Sequence, residues 1–139
     1  MDDFNFLGTG VALVTPFNDD YSIDFTALGE LIEFTITQGA DYLVSCGTTG
    51  ETPTLTREEK KEIVEFTKQK INKRLPLVVG IGSNDTAQVI NSIKSTNLNG
   101  IAAILSVSPY YNKPNQKAIY QHYKSIAQVS PLPVIAYNV

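Results

Sequence analysis

Five nearly apolar runs alternate with four stretches whose apolar residues recur at helical spacing, and this alternation leaves the chain few folds. The runs cover residues 8–17, 42–45, 75–82, 101–108 and 133–137. One strand-plus-helix unit per ~30 residues is the size of a βα repeat. Strands apolar on both faces belong in a parallel sheet covered by helices. The first run stops at Pro16, which has no N–H to give to a ladder.

Each helical stretch carries its own boundary signals. Asp24 is a predicted N-cap, with Phe25, Leu28, Leu31, Ile32 and Ile36 on one face and Gly39 as the stop. Thr56-Arg57-Glu58-Glu59 fits a capping box ahead of Ile63, Val64 and Ile71. Ser83-Asn84-Asp85 caps a third helix, expected to turn Ala87, Ile90 and Ile93 inward and to end near Asn99-Gly100. The fourth is expected to bury Ala118, Ile119, Tyr123 and Ile126, with His122 one step off that face, at the surface or edge.

Two closures fit the order βαβαβαβαβ. One is an open doubly wound sheet of five strands, a binding module without chemistry. The other is the first half of a (β/α)8 TIM barrel, whose full length is about 250 residues. Two features favour the barrel. The last residues, Ala136-Tyr137-Asn138-Val139, are strand-like with no helix after them. A doubly wound domain ordinarily lays a helix over its last strand. Every strand also ends in a polar or Gly-rich loop, and a barrel gathers such loops on one face. Residues 1–139 are therefore read as the N-terminal half of one TIM-barrel domain, with the chain ending at strand 5.

The loop richest in chemistry is Ser45-Cys46-Gly47-Thr48-Thr49-Gly50-Glu51. A strand that feeds such a turn, with a helix from near Thr56, aims N–H and O–H groups at one point. That is a seat for a carboxylate or phosphate. Gly and Thr are equally at home in an ordinary turn, so the motif alone leaves both readings open. A net charge of −3 gives no reason to expect nucleic acid or an anionic membrane as partner. No apolar run approaches the ~20 residues of a membrane helix, and the acidic start is no secretion signal. Cys46 is the one cysteine, which suits a reducing cytoplasm and the role of a small buried hydrophobe. Glu51 is expected to be a helix-entry or loop-bracing carboxylate. Neither metal-ligand spacing nor a nucleotide fingerprint is present, so no metal or cofactor is expected.

Five short motifs follow one another at the predicted strand ends. They are Thr15-Pro16-Phe17, Gly47-Thr48-Thr49-Gly50-Glu51, Gly80-Ile81-Gly82-Ser83-Asn84-Asp85-Thr86, Pro109-Tyr110-Tyr111-Asn112-Lys113-Pro114 and Tyr137-Asn138-Val139. In that order the chain, from Gly8 to Val139, resembles the first half of the dihydrodipicolinate synthases. The resemblance implies a Schiff-base aldol condensation. Pyruvate forms an imine with a lysine, loses a methyl proton and attacks aspartate semialdehyde, on the way to lysine and diaminopimelate. It implies Tyr137 as the proton-moving phenol, with Thr48 and Tyr111 as its relay. Tyr111 reaches into a neighbouring subunit of a homo-oligomer, a dimer or tetramer in the family. Thr49 matches the seat of the pyruvate carboxylate. Asn84 and Tyr110 match an allosteric lysine pocket. There Gln88 stands where many members have Glu, and Arg57 and Lys60 where some have His, which weakens the case for lysine feedback.

The sialic- and sugar-acid lyases of the same superfamily share the Gly-x-Thr-Gly-Glu turn. They usually carry Ser in place of Thr48 and lack the Tyr-Tyr-Asn-Lys-Pro loop, so they are the second reading. On residue type alone, Tyr137 also fits a half-buried core aromatic, and Tyr110-Tyr111 loop packing or an interface.

The implied imine lysine has no candidate. Lysines stand at 60, 61, 68, 70, 73, 94, 113, 117 and 124, on predicted helices or their ends except for Lys113 in a loop. None ends a strand, where a barrel could bury the amine and lower its pKa. In the family that lysine ends the sixth strand, beyond Val139. The 139 residues are thus expected to be inactive alone, and their first and fifth strands to leave open edges that invite association.

Overall fold

The computed structural model describes residues 6–138; the acidic start at 1–5 and Val139 lie outside the described residues. Among these residues strands and helices alternate. They are β1 (Gly10–Ala12), α1 (Phe25–Thr37), β2 (Tyr42–Ser45), α2 (Arg57–Ile71), β3 (Leu77–Gly80), α3 (Thr86–Ser95), β4 (Ala103–Val107), α4 (Gln116–Val129) and β5 (Val134–Tyr137). Every strand pairing within the sheet is parallel and the sheet order is β1-β2-β3-β4-β5. A doubly wound sheet reverses its strand order at a switch point. This sheet has no reversal, so the doubly wound alternative is set aside.

The helices agree. Leu28 and Ile32 of α1, Ile63 and Val64 of α2, Val89 and Ile93 of α3 and Ile126 of α4 share one cluster with Leu43, Leu77, Val79 and Ile104 of the strands. All four helices therefore cover one face of the sheet. Val44, Val78 and Ala103 form a second, smaller cluster on the other face, as strand alternation requires. Each crossover adds the next strand on the same side, and that repeated order gives the first half of a barrel.

The local signals act where the sequence places them. Asp24 Oδ1 accepts from Ala27 N at 2.9 Å, and Asp85 Oδ1 from Ala87 N at 2.9 Å. Thr56 Oγ1 accepts from Glu59 N at 3.2 Å, while Glu59 Oε2 accepts from Thr56 N at 2.7 Å. The capping box is reciprocal, so two otherwise orphaned donors are satisfied.

Three expectations need correction. The first apolar run pairs only over Gly10–Ala12, and Gly10 and Ala12 are exposed. A strand at the sheet edge has one neighbour, so its ladder is short and its faces are poorly covered. In α3, Val89 and Ile93 are buried and Ala87 is exposed. The inward face follows the i, i+4 pair, and the helix ends at Ser95 before the Gly100 turn, where φ is 78°. In α4, Ala118 is exposed and His122 is buried. The cause is the packing of α4 on α3, which brings Thr86 Oγ1 to 2.8 Å from His122 Nδ1. The imidazole thus enters the interior with a polar partner. Burial holds its pKa below the usual histidine value.

Candidate active site

Parallel strands put all their C-terminal ends on one rim. A cleft of about 240 Å³ opens there, walled by Thr48 after β2, Ser83 and Asn84 after β3, Tyr110 after β4, and Tyr137 at the end of β5. Four of the residues singled out by the sequence, Thr48, Tyr137, Asn84 and Tyr110, thus meet in one place. Thr49 and Tyr111 are exposed and stand off its wall. Tyr111 is 87% exposed, with φ at 72°. Asn112 N donates to Tyr110 O at 3.0 Å, so Tyr111 is the middle of a three-residue turn. Positive φ at a bulky residue costs ~1–3 kcal/mol. The loop therefore holds this phenol clear of its own cleft at some expense.

The turn after β2 is not a direct helix entry. Two 3-10 turns, Thr48–Gly50 and Thr52–Thr54, come before α2. Cys46 and Glu51 both sit at φ 54°, bending the chain sharply on either side of the first turn. Three ties hold it. Thr52 Oγ1 shares its proton between Cys46 O at 2.6 Å and Gly47 O at 2.8 Å. Thr15 Oγ1, buried at the end of the first apolar run, donates to Gly50 O at 2.8 Å. The backbone of Glu51 donates to Thr48 O at 3.1 Å and accepts from Thr54 N at 2.9 Å. These bonds of Glu51 are made by its main chain, where a carboxylate was expected to act. Gly80 completes the frame. A Cβ there would overlap the Cys46 carbonyl and lie 2.9 Å from Gly47 N. Only glycine lets β3 pass this close to the turn.

Tyr137 is positioned by a residue whose polar role the sequence did not show. The Tyr123 hydroxyl, from α4, lies 3.1 Å from Ser106 O, 3.1 Å from Tyr137 O and 3.0 Å from Ser108 Oγ. A phenol has one proton, so Ser108 donates to Tyr123, which shares its own proton between the two carbonyls. Ser108 N adds a bond to Tyr137 O at 2.8 Å. The main chain at the end of β5 is thereby fixed to β4. The available signal was a tyrosine on the buried face of a helix, which normally seeks a partner for its hydroxyl.

Lys60, which the resemblance places beside Asn84 and Tyr110, does line this rim, half-buried, from α2. Cys46 lines it too, and burial pushes its thiol pKa up. Among the described residues no group of three or more His, Cys, Asp or Glu could hold a metal ion. No helix among them is long and apolar enough to cross a membrane.

The geometry has close counterparts. The sequence model of the dihydrodipicolinate synthetase family matches residues 5–139. A 4-hydroxy-tetrahydrodipicolinate synthase of Parabacteroides distasonis is 53% identical over 139 residues, which are 100% of this chain and 47% of that protein. The chloride-inhibited dihydrodipicolinate synthase of Acinetobacter baumannii, solved in complex with pyruvate, superposes with a TM-score of 0.90 at 44% identity, over 95% of this chain and 45% of that one. CdNal from Clostridium difficile, solved in complex with mannosamine, superposes with a TM-score of 0.89 at 28% identity, over 98% of this chain and 47% of that one. The chain spans about half the length of the curated relatives it matches. With a match across nearly all of its residues and the same half-barrel of five parallel strands, the chain belongs to the dihydrodipicolinate synthetase family.

Proposed function

We propose that this chain supplies the hydroxyl-bearing half of an imine-forming aldolase site, that of a 4-hydroxy-tetrahydrodipicolinate synthase joining pyruvate to aspartate semialdehyde. The observation that carries this reading is the meeting of Thr48 and Tyr137, from distant parts of the chain, in one cleft at the strand ends.

The reaction needs an amine, a proton shuttle and a carboxylate seat. Attack of the amine on pyruvate C2 gives a carbinolamine, whose hydroxyl must be protonated to leave as water. The methyl carbon then gives up a proton to form the enamine. The enamine carbon attacks the aldehyde, and the new alkoxide takes a proton. The Tyr137 phenol is the group we assign to these transfers. The Thr48 hydroxyl hands its proton on, and Tyr111 completes the relay from a neighbouring copy in a homo-oligomer. The 87% exposure of Tyr111 supports an arm built for another subunit's site. Thr49, through its N–H and hydroxyl, is assigned to the pyruvate carboxylate. Asn84 and Tyr110 are assigned to an effector pocket beside the reacting groups. The free, buried Cys46 supports a reducing cytoplasm as the compartment.

The amine itself comes from a lysine outside these 139 residues. Among the described residues Lys60 is the lysine on the cleft wall, and it stands on a helix rather than at a strand end. The chain alone, mixed with pyruvate and sodium borohydride, is expected to keep its intact mass. A reduced pyruvate adduct on Lys60 would overturn this part of the reading.

A sialic- or sugar-acid lyase is the second reading, favoured by the likeness to CdNal. Turnover decides between them. A protein carrying these residues in a closed barrel is expected to consume aspartate semialdehyde, and cleavage of sialic acid in its place would reverse the order.

A further inference from the structure

Asn99 is the one asparagine of the chain that precedes a glycine. Both residues are exposed, in the turn between α3 and β4. Ile101 N donates to Leu98 O at 3.1 Å, which closes the turn. Gly100 stands third in it with φ at 78°, as a type II turn requires. Asn99 N donates to Asn97 Oδ1 at 3.2 Å, the local bond of an Asx turn. Neither the Asn99 carboxamide nor the Gly100 N–H has a partner among the described residues. Joining the Gly100 nitrogen to Asn99 Cγ closes a five-membered ring. A nucleophile on the same chain acts at a high effective concentration, and glycine has no side chain to screen it.

We propose that Asn99 is a site of spontaneous modification, converted through a succinimide to aspartate and isoaspartate. The Gly100 N–H gives its proton to hydroxide, and the nitrogen attacks Asn99 Cγ. The new N–C bond forms, the Cγ–Nδ2 bond breaks, and ammonia leaves with a proton from water. Water then adds to one of the two ring carbonyls and breaks its bond to the Gly100 nitrogen, which takes a proton back. Opening at Cγ gives aspartate. Opening at the Asn99 main-chain carbonyl gives isoaspartate, with the backbone rerouted through Cβ. Water is consumed, ammonia is released, and nothing is oxidised or reduced.

The native turn sets the pace. A type II turn keeps the Gly100 nitrogen turned away from the Asn99 side chain, so ring closure waits for the turn to open. One hydrogen bond favours the closed form by only roughly two- to tenfold. Either product places its carboxylate beside α2. A Cβ on Gly100 would lie 3.6 Å from Lys68 Cε, and Lys68 Nζ pairs with Glu65 Oε1 at 3.0 Å. The turn precedes β4, at the end of the sheet away from the cleft. The inference therefore goes beyond the aldolase reading and is tested without turnover.

The chain is aged folded in buffer and unfolded in urea, at mildly acidic and mildly alkaline pH, and its peptides are resolved by chromatography and mass spectrometry. In the folded chain the Asn99 peptide is expected to exchange the mass of NH₂ for that of OH ahead of every other asparagine. It is expected to do so faster at the alkaline pH and to split into two isomers. Asn97→Ala frees Asn99 N and is expected to speed the folded chain by roughly two- to tenfold, with no change in urea. Gly100→Ala is compared in urea, where its φ plays no part, and is expected to slow conversion on the order of tenfold as the methyl screens the nitrogen. The proposal is overturned if Asn99 stays intact in the folded chain, whatever the unfolded chain does. It also fails if the product is aspartate without isoaspartate, or if Gly100→Ala converts as fast as wild type in urea. An unchanged rate in folded Asn97→Ala would contradict the gating by the turn.

Discussion

Replacing Thr15 by valine should loosen the turn that carries Thr48 from a distance. Thr15 is 5% exposed, and its hydroxyl donates to Gly50 O at 2.8 Å. Gly50 is itself buried, so water has little access to replace the lost donor. Valine fills the same space but leaves that carbonyl without this partner, a penalty of ~1–3 kcal/mol. With a urea dependence of ~1–3 kcal/mol per molar for a small protein, the unfolding midpoint should fall by roughly 1 M. Thr15→Ser is the control, since it keeps the hydroxyl and loses one methyl, worth ~0.8 kcal/mol. The two variants differ most clearly in local hydrogen exchange. Valine should speed exchange at the Gly50 and Glu51 amides, which close the first 3-10 turn onto Gly47 and Thr48, and serine should not. A Thr15→Val chain with unchanged midpoint and unchanged exchange at those amides would mean that the Thr15 hydroxyl does not hold this turn.

Gly80→Ala should cost ~1–3 kcal/mol, at the upper end, because the new methyl meets main-chain atoms of Cys46 and Gly47 that cannot rotate away; urea unfolding measures it, and wild-type stability would contradict the close approach. His122 should make the fold acid-sensitive. Its folded-state pKa lies below the unfolded value, so on acidification the unfolded chain takes up the proton first. Its contribution is complete above about pH 6.5 and is lost as pH falls toward the folded-state value. A pH series of urea midpoints for wild type and His122→Gln should show the slope flattened in the variant, and parallel slopes would contradict it. The Cys46 thiol, buried and with its pKa raised, should react with a disulfide reagent far more slowly in the native chain than in urea. Equal rates would mean the sulfur is not covered as described.

Much of the fold was legible because its signals are local. The caps at Asp24, Thr56 and Asp85 lie within a turn of the residues they serve. What the sequence could not carry was sheet order. Apolar runs look alike whether a sheet winds both ways or curls one way, so the barrel had to be read from the polar loops at the strand ends and the strand-like last residues, and the pairing β1-β2-β3-β4-β5 bears it out. The length of the first run misled because apolar residues continue past the paired segment: Leu13 is buried and its N–H still donates to Val44 O at 2.9 Å, but the strand ends at Ala12. His122 was misplaced because a helical wheel does not show that a neighbouring helix offers the Thr86 hydroxyl. The site residues followed from motifs at strand ends, and Thr48, Tyr110, Asn84 and Tyr137 converge as that logic requires. The ties that shape the rim, Thr15 to Gly50 and Tyr123 to Tyr137, span too much sequence for any motif to reveal.

On the proposed function, the rim hydroxyls of this chain serve an imine formed on an amine supplied from elsewhere. A chimera puts this to the test. This chain is joined to the remaining C-terminal part of the Parabacteroides distasonis relative, and condensation of pyruvate with aspartate semialdehyde is followed at steady state. Turnover is expected in the chimera, with trapping of pyruvate by borohydride on a lysine of the added part and a fall in kcat of roughly 10²-fold or more on Tyr137→Phe, the scale of lost general acid–base catalysis. A folded chimera that traps pyruvate and turns over equally well with Phe at position 137 would contradict it.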